Sequence, residues 1–209
     1  MKLMQINASA RGVDSESLFI SSAFVSELIS YTEVDLDTYN LFEDSLPEFG
    51  AVASSAKMSI LRGGDLSIDQ KTVWGEIKRV FERFAAADAY VFNVPLWNNG
   101  VPYKLKQFID VVTQPGLAFE FDVENGYIGL MRGRKSLVIH ASGVYYEGVA
   151  TSFGSDFSTP YVEHWLQFIG VESIQHVHVA PTVLNTNFFK TKGEAEVLVR
   201  NLARNWLGK

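Results

Sequence analysis

Three serines near the start of the chain, Ser9, Ser15 and Ser17, lie in the stretch N-A-S-A-R-G-V-D-S-E-S between a short apolar run at 2 to 6 and a helical pattern beginning at Leu18. Hydroxyls and free amides at a helix N-terminus bind an anion without many basic side chains, so Ser9, Ser15 and Ser17, assisted by Arg11, form a candidate phosphate loop. The other reading is that Asp14 or Ser15 only caps the helix. The patterns GxxxxGK[ST] and GxGxxG are both absent, which removes the usual nucleoside-triphosphate and dinucleotide fingerprints. A second stretch, P-L-W-N-N-G at 95 to 100, follows the apolar run from Ala89 to Val94. Asn98, Asn99 and Gly100 tolerate unusual backbone angles, so backbone amides there can approach a flat ligand; the other reading is an ordinary strand-to-helix turn carrying a surface aromatic.

The elements that must position these loops follow from periodicity. Strands are expected near 2 to 6, 33 to 37, 88 to 95, 135 to 141 and 174 to 180, and helices near 15 to 31, 70 to 86, 101 to 113, 158 to 169 and 190 to 207, with a sixth around 51 to 62. Strands alternating with helices imply a single α/β domain over residues 1 to 209, a doubly wound five-stranded parallel sheet with helices on both faces. The natural strand order is 2-1-3-4-5. It makes the first and third strands neighbours at the point where the winding reverses, so the serine loop and the P-L-W-N-N-G loop face one ligand. Together they point to a flavin or another aromatic cofactor bearing a phosphate.

Composition fits one globular domain. The chain has 209 residues, 47% hydrophobic and 20% charged, a length that can bury a substantial core. Its net charge of −6 argues against a nucleic-acid surface. No apolar run is long enough to span a bilayer and the first residues lack a signal-peptide segment, so a cytoplasmic protein without a membrane partner is expected. With no cysteine there is no thiolate nucleophile or CxxC pair, and redox chemistry needs a cofactor. His176 and His178 share a face of a predicted strand, but without a third ligand near them, and with His140 and His164 isolated in sequence, no metal site is expected. T-S-F-G-S-D-F-S-T at 151 to 159 lacks a G-x-S-x-G elbow and reads as a loop before a helix.

The chain resembles the FMN-dependent NADH azoreductases and NAD(P)H quinone reductases of the flavodoxin-like superfamily. The resemblance covers essentially the whole chain. It rests on Ser9 with Ser15-Glu16-Ser17, and on Pro95, Asn98, Pro102, Leu105, Lys106 and Asp110. It extends to G-L-A-F-E-F and E-N-G within 116 to 126, the strand entry from Gly129 to Lys135, and T-P-Y followed by F-I-G within 159 to 170. The resemblance implies bound FMN, with its phosphate in the serine loop. It puts the ring against Pro95, Leu96, Trp97, Asn98 and Asn99 and against Ala141, Ser142, Gly143 and Val144. NADH or NADPH is the implied donor, a quinone or azo compound the acceptor, a homodimer the implied assembly, and no side chain an obligatory nucleophile or acid. Phe119, Phe121, Trp165 and Phe168 are candidates to line a flat substrate pocket, Phe168 being also a core candidate beside Leu166 and Ile169. Trp97, Asn99 and Ala141 to Val144 depart from the family's usual residues, so substrate preference and flavin potential are where this chain should differ. An electron carrier holding FMN is the alternative, disfavoured by the extra chain from Pro115 to Arg132; a phosphoester hydrolase is the third option and lacks an evident nucleophile, base or metal.

Overall fold

The computed structural model describes residues 1–207, so the last two residues of the expected 1 to 209 domain lie outside the described ones. Five parallel strands form the central sheet: β1 (Lys2–Asn7), β2 (Asp35–Asn40), β3 (Ala89–Pro95), β6 (Lys135–Ala141) and β7 (Ser173–Val179). Their order is β2-β1-β3-β6-β7, the expected 2-1-3-4-5 when only the sheet strands are counted. Two further strands, β4 (Phe119–Asp122) and β5 (Gly126–Gly129), form an antiparallel hairpin of their own, which the sequence reading did not anticipate. Helices α1 (Glu16–Ile29), α2 (Ala51–Leu61), α3 (Ile68–Ala85), α4 (Tyr103–Val112), α5 (Ser158–Phe168) and α6 (Phe188–Asn205) stand within a few residues of their predicted positions. None of them is long and apolar enough to cross a membrane, among the described residues.

The two faces of the sheet bury separate cores. Leu3, Val91, Leu137, Ile139, Val177 and Val179 pack with Ile20, Phe24 and Leu28 of α1 and Val199 of α6. On the opposite face Met4, Ile6, Tyr90, Phe92, Val94 and Val138 meet Phe84, Phe108, Ile109 and Trp165. Period-two alternation of strand side chains assigns each residue to its face, and β3 is apolar almost throughout because both faces are covered. The second strand begins two residues later than expected and ends at Asn40 instead of 37. D-L-D-T-Y-N sits at an edge and alternates weakly, so its limits are fixed by pairing with β1, from Lys2↔Asp35 to Asn7↔Asn40.

The hairpin is attached to the α5–β7 turn by close backbone packing. Met131 N–H donates to Ile169 O (2.7 Å) and Leu130 N–H to Ala118 O (3.0 Å). Gly129 is required there: a Cβ on it would stand 2.3 Å from Gly170 N and 2.4 Å from the Ile169 carbonyl carbon, both backbone atoms.

Candidate functional site

The serine loop leaves the C-terminal end of β1 and turns through a short 3-10 segment, Gly12–Asp14, into α1. Gly12 takes φ +53°, a left-handed angle that glycine adopts at little cost. Asn7 Oδ1 accepts from Ser9 N–H (3.0 Å) and Ser9 Oγ from Arg11 N–H (3.3 Å), which fixes the loop to the strand end. Ser15 is the N-cap, its Oγ accepting from Leu18 N–H (3.2 Å), and it lies 3.2 Å from Ser17 Oγ. Capping therefore occupies Ser15 and not Asp14, while the Glu16 and Ser17 amides have no partner among the described residues. Ser9, Ser15 and Ser17 are buried, and Arg11 is exposed. The Glu16 carboxylate is engaged by Lys192 of α6 at 2.7 Å, leaving its backbone as the group open to a ligand.

The loop after β3 begins by extending the sheet, Leu96 N–H donating to Ala141 O at 2.8 Å. Trp97 and Gly100 then exchange two 2.9 Å backbone hydrogen bonds around Asn98 (φ +50°) and Asn99 (φ +68°). Positive φ at both central positions is the type I′ turn that asparagine tolerates best among residues with a side chain. Asn98 and Asn99 amides are without partners among the described residues. Asn99 Oδ1 accepts from Ser155 N–H (3.0 Å), and its carbonyl from Phe157 N–H (2.8 Å). Its side chain thus holds the 154 to 157 segment. Trp97 packs at 5.8 Å from Phe42 and 6.3 Å from Tyr103, and Pro102 takes the N-cap position of α4.

After β6 the chain is tied to the loop after β7, Ser142 O accepting from Thr182 N–H (2.9 Å) and Gly143 O from Val183 N–H (2.8 Å). Ser142 Oγ donates to Tyr145 O. The Gly143 and Val144 amides have no partner among the described residues. A cavity of about 520 Å³ opens here, lined by Leu96, His140, Ala141, Ser142, Tyr145, Tyr146, Glu147, Asp156 and His178 among others. Asp156 is held by the start of α5, accepting from Ser158 N–H and Thr159 N–H, each at 2.8 Å. A second hollow of about 680 Å³ lies across the β3 turn, between Trp97, Asn98 and the α4 side chains Lys106 and Asp110.

Loops from β1, β3 and β6, adjacent strands in the sheet, thus carry unpaired amides and buried hydroxyls at one end of the fold, and they hold every residue named as a cofactor contact. The four aromatics proposed for a substrate pocket lie elsewhere. Trp165 is in the core beside Phe84, Phe92 and Phe108, its indole N–H donating to Thr113 Oγ1 (2.9 Å), with one edge on a third hollow of about 270 Å³. Phe168 borders that hollow and packs half-buried against Phe119 and Tyr127 at 5.2 Å. Phe119 is buried under the hairpin, and Phe121 is exposed on it.

His140 is isolated in sequence and not in space: its register partner is His178, and its ring stacks on those of both β7 histidines, at 4.8 Å from His178 and 5.2 Å from His176. No group of three or more His, Asp or Glu among the described residues is arranged to hold a metal ion. Burial pushes all three imidazoles below their ordinary 6.5, His140 furthest, with the neighbouring histidines adding to the effect on His140. Phe42 and Asp156 also escaped the sequence reading; Phe42 has no pattern marking it, and S-D-F-S-T before α5 was the available signal for Asp156.

A model of the flavodoxin-like fold matches residues 1–202. A protein of Ruegeria pomeroyi called an FMN-dependent NADH:quinone oxidoreductase is 41% identical over 184 residues, covering 88% of this chain and 90% of that one. The chain belongs to this flavodoxin-like family. A relative of the same description from Desulfotalea psychrophila is 39% identical over 186 residues, covering 88% of this chain and 87% of its own. Among solved structures, an FMN-dependent NADH-azoreductase from Bacillus anthracis in complex with FMN superposes with a TM-score of 0.85 at 25% identity, covering 98% of both chains.

Proposed function

We propose that this protein is an FMN-dependent NADH:quinone oxidoreductase that also reduces azo compounds. The observation that carries the reading is the convergence of the three loop systems, from β1, β3 and β6, on one end of the sheet. FMN held there would supply the redox chemistry, ping-pong hydride transfer through flavin N5 between NADH and a two-electron acceptor.

The chain's part is to bind and orient. Buried Ser9 and Ser17 with the α1 N-terminus offer a phosphate several hydrogen bonds and the positive end of a helix dipole. Arg11, exposed at the rim, can add a charge contact. The free amides of Asn98, Asn99, Gly143 and Val144 suit the carbonyl and imine acceptors of an isoalloxazine edge, while Leu96, Ala141 and Ser142 on the 520 Å³ cavity, Trp97 on the hollow across the β3 turn and Pro95 at the strand end offer surfaces to a flat ring. Most of these donors are backbone groups, which is why Trp97, Asn99 and Ala141 are compatible with flavin binding. No side chain need act as a nucleophile.

A second copy of the chain belongs to the reading. Phe121, Val123 and Tyr127 are exposed together on the hairpin, an apolar surface suited to a homodimer contact. The hairpin also favours an enzyme over a simple electron carrier, because it is structure beyond what a minimal five-stranded carrier requires. NADPH as an alternative donor, the cytoplasmic setting, and the absence of nucleic-acid and membrane partners complete the proposal.

The test is an anaerobic absorption spectrum of the purified protein between 300 and 550 nm, followed by NADH and then a benzoquinone in the same cuvette. Flavin bands that bleach with NADH and return with quinone are expected. A colourless protein that neither binds added FMN nor oxidises NADH refutes the proposal, and a yellow protein that holds FMN tightly but is not bleached by NADH favours the electron carrier.

A further inference from the structure

Three histidines at the 520 Å³ cavity, two of them in its wall, have no task in that scheme. His140, at the end of β6, is 6% exposed. Its Nε2 lies 3.0 Å from His176 Nδ1, a hydrogen-bond distance, and its ring lies nearly parallel to that of His178, 4.8 Å away with 15° between the planes. His140 and His178 line the cavity alongside Leu96, Ala141 and Ser142, residues assigned above to the flavin ring. His176 Nε2, on the far side of the pair, is buried without a hydrogen-bond partner.

Two neutral imidazoles carry two hydrogens on four nitrogens, and one of them occupies the bridge. One outer nitrogen therefore stays bare, whichever tautomers are chosen. Charge around the cluster is acidic: Glu163 of α5 and Asp156 bear on His176, and Asp156 with Glu147 on His178, while the histidines oppose protonation of one another. Burial disfavours the charged form of the rings, and a new negative charge in the adjoining cavity would favour filling the bare position.

We propose that the His140–His176–His178 cluster is a proton store for the cavity, loaded when the bound flavin is reduced and discharged to the quinone. The proposal rests on the ring placement given under Proposed function. NADH delivers a hydride, two electrons and one proton, so the flavin gains one negative charge; the cluster takes one proton from solvent. When the electrons and the hydride's proton pass to the quinone, the stored proton goes to the second quinone oxygen and hydroquinone leaves. The sum is NADH, H⁺ and quinone giving NAD⁺ and hydroquinone. Coupled rings titrate as a unit, so the proton belongs to the cluster and not to one histidine.

The test measures the two-electron midpoint potential of the FMN-loaded full chain from pH 5 to 8, for the unmodified protein, His140→Gln and His178→Gln. His178, at the edge of the sheet, is the safer substitution should His140→Gln fail to fold. One proton per two electrons gives a slope of about 30 mV per pH unit, and two protons about 59 mV. The steep limb is expected to reach higher pH in the unmodified protein than in either variant. A break at the same pH in all proteins assigns the second proton to the flavin and overturns the proposal. Imidazole nitrogen NMR before and after FMN addition separates the two readings. Signals that move on binding while the slopes coincide leave the ring placement standing and remove the proton store; signals that stay fixed although FMN binds remove both.

Discussion

Replacing Asn99 should loosen one wall of the cavity by an amount that can be worked out from two contacts. Its Oδ1 accepts from Ser155 N–H at 3.0 Å, and its backbone stands at φ +68°. Asn99→Ala removes a hydrogen bond worth about 1 kcal/mol net. It also places alanine in the left-handed region, at about 1 kcal/mol more than asparagine pays. The sum, about 2 kcal/mol, corresponds to a roughly 30-fold rise in the open population of the 154 to 157 segment. Asn99→Gly loses only the hydrogen bond, since glycine accepts the angle, and should give a roughly 5-fold rise. Native-state amide exchange at Ser155 and Phe157 reads these factors directly, because both amides are bonded to Asn99. Equal exchange in the two variants would remove the backbone term. Exchange unchanged in both would show that Asn99 does not clamp the segment. Asp156 belongs to the same segment and lines the cavity, so FMN affinity should fall by no more than the exchange factor if the wall must close on the ligand.

Three further outcomes are expected. Gly129→Ala drives a Cβ into the Gly170 backbone at 2.3 Å, which no rotamer can relieve, and should cost about 3 kcal/mol, lowering the melting temperature by roughly 10 °C; a shift under about 2 °C refutes the close-packing argument. Ser15→Ala and Ser17→Ala should both weaken FMN binding by about tenfold or more, but only the former should also lower stability by about 1 kcal/mol through the lost cap, as calorimetry of the FMN-free proteins would show. Arg83, hydrogen-bonded to Asp37 at 2.6 Å, holds the Asp37 carboxyl below its ordinary 3.8, so the pair's contribution is present above that value and lost as pH falls through the lower folded one. Asp37→Asn should therefore be less stable by about 1 kcal/mol at neutral pH, with the gap closing in acid; a gap constant from pH 7 to 2 in urea denaturation contradicts this.

What the sequence displayed and what it hid divide along the range of the interactions. α1 and its serine loop were legible because cap, hydroxyls and apolar period lie within some 20 residues of one another, and β3 because a strand buried on both faces is apolar at nearly every position. The edge strand β2 was placed too early because D-L-D-T-Y-N carries little alternation and takes its limits from β1. F-E-F-D and G-Y-I-G carry no strand signal strong enough to read, because two four-residue strands cannot stand alone; they persist because Gly129 lets the hairpin lie against the Gly170 backbone.

The histidines required the longest step. Period two places His176 and His178 on one face of β7 from sequence alone, but His140 joins them only when β6 and β7 pair in parallel with His140 opposite His178. A parallel pair needs a crossover, and here the crossover contains α5, whose Glu163 and preceding Asp156 bear on the same rings. One βαβ unit therefore assembles both the stacked imidazoles and part of the acidic field around them. If their protonation is linked to the flavin, the linkage depends on strand register, and a change that slips β7 against β6 should abolish it even with all three histidines retained.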